Sequence, residues 1–191
     1  MISTQNAPIP NTPAQYAEII NQCRSLFLKK TTDYGTSWRI MRLPSITDQI
    51  FIKAKRIRSI QDKGTQLVAD GIHEEFIAIV NYCIIALMQL ELGTSDIQDD
   101  LATEQVALHY DTQVQTTQEL LFRKNHDYGE AWRDMRISSM TDIILMKLLR
   151  IKQIENNQGF TQVSEGVEGS YRDMLNYAVF CLILMGENKA L

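Results

Sequence analysis

Two stretches of the chain carry the same polar residues in the same order. The first holds Lys30, Asp33, Tyr34, Trp38, Arg39, Arg42, Asp48, Lys53 and Arg56. The second holds Lys124, Asp127, Tyr128, Trp132, Arg133, Arg136, Asp142, Lys147 and Arg150. Arginine forks grip phosphate oxygens in bidentate fashion, and lysine adds a point charge. Tyrosine and tryptophan offer flat faces on which a base can stack. Cations and aromatics at this density suit an anionic ligand with a planar ring, a nucleotide above all. Lys53 and Arg56, three apart on a helix, put both heads on one side.

The match between the stretches is a duplication. Residues 30–60 and 124–154 align without a gap at an offset of 94, with 16 of 31 positions identical. After one inserted residue the match resumes at an offset of 95, pairing Asn81-Tyr82 with Asn176-Tyr177. The copies span 14–92 and 104–187, joined by a polar acidic linker at 93–103. Apolar positions exchange between copies, Phe51 for Leu145 and Ile52 for Met146, while the polar set persists.

Each polar member also has a structural reading. Gly35 and Gly129 fit left-handed residues that end a helix. Asp33 and Asp127 can close that turn. Asp48 and Asp142 stand three residues after Ser45 and Ser139, as in a capping box. Trp38 and Trp132 fit core residues whose indole N–H meets a carbonyl. Arg39 and Arg42 can pair with acids of the third helices.

Magnesium is the metal expected beside phosphates, held by carboxylates. The candidates are Asp48, Asp142, Glu75 and Asp173. Other acids, Asp70 and Glu74 in copy one and Glu165 and Glu168 in copy two, lie near the start of the third helices. Glu75 aligns with Ser170 and Asp173 with Ala78, so any metal site differs between the copies or is shared. His73, His109 and His126 have no counterparts and read as surface or packing residues.

Three helices per copy must position these groups. The first is predicted over 14–30 and 104–124, where apolar residues recur at helical spacing. The second is predicted to begin near Ser45 and Ser139. The third is apolar on nearly every face, which predicts a buried central helix. No window alternates as a strand. The expected fold is all-α: two three-helix units packed about a pseudo-twofold axis as one bundle, as two copies of a homodimer would pack.

The net charge is −4, but it is unevenly spread. Residues 29–63 carry nine cations and three acids, residues 123–158 seven and five, and the remainder three and fifteen. That acidic remainder repels free nucleic acid at long range, whereas a small phosphate in a basic cleft is not repelled. Three separated cysteines exclude a disulfide framework and a zinc motif. With no signal-like N-terminus and Tyr177–Met185 as the longest apolar run, the sequence predicts a cytoplasmic protein without a membrane span.

K-x-x-D-Y-G-x-x-W-R, then S-x-T-D-x-I-x-x-K-x-x-R-I, then N-Y in an apolar helix, resembles the nucleotide modification associated domain type one family, here as a tandem pair. That resemblance implies association with nucleotide or base modification. A weaker one, to the MazG-like all-α nucleoside triphosphate pyrophosphohydrolases, rests on the acidic segment before the D-x-x-N-Y helix. It implies that Asp173 and Glu75 hold magnesium while a water attacks the phosphate chain. The E-x-x-E of those enzymes is absent. The leading expectation is a nucleotide-binding protein linked to nucleotide modification or nucleotide-pool metabolism, with magnesium-dependent pyrophosphohydrolysis in the MazG manner as its candidate reaction. The rival is a non-catalytic binding module whose charges form structural salt bridges.

Overall fold

The first helix, α1 (Thr12–Tyr34), begins where the Asn11 side chain accepts a bond from the Ala14 amide at 3.2 Å. Pro13 sits in the first turn, where its missing N–H costs nothing. The helix runs beyond the expected end at Lys30 to Tyr34, so Lys30 and Tyr34 are one turn apart on one face. Gly35, at φ 61° and ψ −149°, then turns the chain, and Gly129 does the same at φ 63° after α4. A side chain is strained in that region, which explains the repeated glycine.

The computed structural model describes residues 11–65, 71–97, 100–160 and 166–189, and the side chains of all of these except 124–128 and 188–189. The remaining long helices are α2 (Leu43–Lys63), α3 (Ile72–Leu92), α4 (Thr103–Tyr128), α5 (Ile137–Asn156) and α6 (Val167–Lys189). Short 3-10 turns, Ser37–Ile40 and Ala131–Asp134, follow α1 and α4. No strand occurs among the described residues. The all-α expectation is met.

The expected caps of α2 and α5 are corrected. Both helices start two residues earlier, with Arg42 and Arg136 in extended backbone at the cap position and no side-chain cap bond. Pro44 falls within the first turn, where it is tolerated, so Ser45 lies inside the helix.

The two copies meet along α3 and α6, with α2 packed on α5 beside them. Among the described residues one helix, α3, is long and apolar enough to span a bilayer, and 67% of its apolar window is buried inside the protein. Cys23, Cys83 and Cys181 are buried free thiols, and burial pushes all three up, Cys23 to about 12. They match the expected inert core thiols.

Contacts across the interface come in equivalent pairs. Tyr16 donates to Asn176 at 2.8 Å, and its counterpart Tyr110 donates to Asn81 at 2.9 Å. Asp48 pairs with Lys152 at 2.5 Å, and Asp142 with Arg58 at 3.4 Å. Thr47 donates to Glu155 at 2.8 Å, while Gln61 donates to Thr141 at 3.1 Å. Such reciprocity is what a twofold interface imposes. Tyr16→Phe and Tyr110→Phe are each expected to cost about 1–2 kcal/mol in urea unfolding, because each leaves a half-buried amide oxygen short of its donor.

Glu155 breaks the reciprocity, for its counterpart is the neutral Gln61. Burial raises its carboxyl pKa, against the bond from Thr47, and neighbouring Asp48 raises it further. A carboxyl raised on folding favours the native state while protonated, and that contribution is lost as pH rises through the folded pKa. Glu155→Gln should therefore be more stable than the parent near neutral pH. The two should converge below the ordinary carboxylate range, about pH 4. Thermal melts across pH check this.

Candidate functional site

The first copy encloses a cleft of about 490 Å³. Lys30 and Tyr34 enter from the last turns of α1, Trp38 from the 3-10 turn, Lys53 from α2, and Glu74, Glu75, Asn81, Tyr82 and Ile85 from α3. The K-x-x-D-Y-G-x-x-W spacing is what brings the first three together. The helix sets Lys30 one turn before Tyr34, and the turn at Gly35 brings Trp38 onto the same cleft. Lys30 and Tyr34 are exposed, whereas Trp38 and Glu75 are buried.

Two polar atoms on this wall lack hydrogen bonds. The Trp38 indole Nε1–H is buried without a partner, as is that of Trp132 in the second copy, contrary to the expected carbonyl bonds. Glu75 accepts a bond from Arg56 through one oxygen. Its other oxygen, Oε2, lies 3.2 Å from Lys53 Nζ as an ion pair without an aligned hydrogen bond. Buried donors and acceptors are normally satisfied, so each is a position where a ligand or water can bind. The Asn81 side chain is engaged, donating to the Cys23 carbonyl at 3.1 Å and accepting from Tyr110.

The structure places other members of the repeated set elsewhere. Arg39 is buried and bonded to Asp100 at 3.1 Å, to the Gln89 side chain and to the Gly93 carbonyl. It fastens the end of α3 to the segment leading into α4. Arg133 repeats the arrangement. It reaches Glu130 at 2.5 Å, Glu187 at 2.9 Å, Thr12 at 2.7 Å and Gln15 at 2.6 Å, so it fastens α6 to the start of α1. Burial alone would raise Asp100, but bonds from Ser95, Arg39 and Thr36 and the arginine charge hold it below the usual range. Glu130 is lowered the same way, by Thr12 and Arg133 against burial. Arg42, Arg136, Arg150 and Asp33 are exposed. The side chains of Lys124, Asp127 and Tyr128, and residues Asp70 and Glu165, lie outside those described.

The four candidate metal ligands are not brought together. Glu75 lines the first-copy cleft, Asp173 pairs with Lys147 at 2.5 Å in the second copy, and Asp48 and Asp142 face cations across the α2–α5 interface. Among the described residues no three His, Cys, Asp or Glu side chains converge as a metal site. Among the described residues, then, the four candidates do not form one shared magnesium centre.

Several residues that shape the site carried no chemical signal of their own in the sequence. Tyr16 and Tyr110 obey the same offset of 94 but fall outside the aligned block. Ile85 and Phe180 occupy equivalent positions at the offset of 95, and the difference between them shapes the two copies.

No curated protein and no solved structure matches the chain. The resemblance to MazG-like pyrophosphohydrolases therefore finds no support. A family model does match, described as nucleotide modification associated domain 1, over residues 30–90 and again over 124–185. Those segments fall one within each copy and include Lys30, Trp38, Lys53 and both clasping arginines, and the chain belongs to that family as a tandem pair.

Proposed function

We propose that the first-copy cleft binds a nucleotide. The observation that carries this reading is the convergence of Lys30, Lys53, Tyr34 and Trp38 on one cavity of small-ligand size. Lys30 and Lys53 would meet the phosphates, with Arg56 held beside Lys53 by their common partner Glu75. Tyr34 and Trp38 would take the base, and the unpartnered indole N–H would donate to an acceptor on the ligand. The family description, nucleotide modification associated, agrees with a ligand of this class.

Thermal shift against ribonucleoside and deoxyribonucleoside mono- and triphosphates, with and without magnesium, tests the reading. A bound ligand raises the melting temperature progressively with its concentration. Lys53→Ala should abolish most of the shift, and Arg136→Ala, outside the cleft, should keep it. A shift that survives Lys53→Ala would place the phosphates elsewhere. Release of phosphate or pyrophosphate would distinguish an enzyme from a binder.

A further inference from the structure

In the second copy the face of the repeated tryptophan is covered from within. Phe180 stacks on Trp132 with ring centroids 4.2 Å apart and planes 8° from parallel. Tyr177 meets Phe180 edge-on at 6.3 Å, and both Phe180 and Trp132 are buried. The first-copy residue at the position of Phe180 is Ile85, which lines the cleft beside Trp38. A branched aliphatic side chain cannot supply a stacked plane. The polar wall differs too: Glu75 holds both Lys53 and Arg56, while Asp173, one turn further along its helix, pairs with Lys147.

We propose that the chain takes one ligand, not two, with the ligand's planar ring lying on Trp38 of the first copy as Phe180 lies on Trp132 of the second. Phe180 is a built-in substitute for the ligand ring. It keeps Trp132 packed and closes the second copy to ligand. The first copy retains the opening, and with it the specificity for a flat heterocycle. This inference rests on the first-copy cleft being a ligand site and adds the stoichiometry and the part of the ligand that enters.

The chain's two tryptophans make the test direct. The full chain is labelled with fluorotryptophan, and its two fluorine resonances are assigned from Trp38→Phe and Trp132→Phe. It is then titrated with adenine, guanine, cytosine and uracil and with their nucleoside monophosphates. The expected result is that the Trp38 resonance moves with at least one of them while the Trp132 resonance stays. In folded Phe180→Ile, which installs the first-copy residue, the Trp132 resonance should move as well. Movement of both resonances in the parent chain, or of neither, overturns the proposal, and so does a silent Trp132 in Phe180→Ile. If the free bases bind as tightly as their monophosphates, the phosphate role of the lysines fails while the single ring site stands.

Discussion

Arg39→Ala is expected to lower the unfolding free energy by about 3–5 kcal/mol, the usual cost of removing one partner from a buried ion pair. For a chain of this length that is a fall of roughly 6–20 °C in melting temperature. The side chain is only 6% exposed and its partner Asp100 only 14%. Without the guanidinium, the Asp100 carboxylate loses its countercharge, and the Gln89 side-chain oxygen and Gly93 carbonyl lose their donor. Such orphaned groups cost more than the pair itself contributes. The same clasp predicts an acid sensitivity. A carboxyl lowered on folding stabilises the native state above its unfolded pKa, and that stability disappears as pH falls through the lowered folded value. The parent chain should lose this contribution on acidification, and Arg39→Ala should have little of it left to lose. Because Arg39 is not on the cleft wall, ligand binding measured well below the melting point should survive. A melting temperature within about 2 °C of the parent would contradict the clasp.

Separating the copies is expected to have a larger effect. Residues 1–95 and 100–191, expressed apart, should fail to give folded monomers. From Phe76 to Gln89 along α3 most side chains are buried, and α6 is similar from Tyr171 to Ile183. Each helix packs on the other as well as on its own copy's second helix. Burying one Leu, Ile or Phe side chain is worth about 1.5–3 kcal/mol, so exposing half a dozen costs about as much as the ~5–15 kcal/mol that holds an ordinary domain folded. Each half would also lose the reciprocal Tyr–Asn bonds and one end of each arginine clasp. Mixing the halves should recover helical circular dichroism, and two independently folded monomeric halves would contradict the single core.

Much of this architecture was legible in the sequence because duplication exposes it twice. The apolar third helices, the glycines after each first helix and the offset of 94 to 95 predicted the bundle and its pseudo-symmetry. The roles of the retained polar residues were less legible, since an arginine repeated in both copies looks the same whether it holds phosphate or protein. Lys30, Lys53, Tyr34 and Trp38 do converge on a cleft. Arg39 and Arg133 instead fasten helix ends, and Asp48 and Asp142 face cations of the opposite copy. Those partners depend on how the copies dock, which spacing within one copy does not encode. The linker shows the same limit: its acidic composition suggested a plain connection, yet Asp100 is one half of a buried clasp. Among the differences between the copies, Ile85 against Phe180 is one that hydropathy alone treats as conservative.

The central claim, that the first-copy cleft holds a nucleotide through its lysines, is tested most directly by calorimetric titration of the parent chain and Lys53→Ala. The titrant is the nucleotide that gives the largest thermal shift. The predicted result is saturable binding to the parent and an affinity at least about tenfold weaker in the variant, the loss of one charge-assisted phosphate contact of about 1.5 kcal/mol or more. Equal affinity in the two proteins, with both folded, would contradict it.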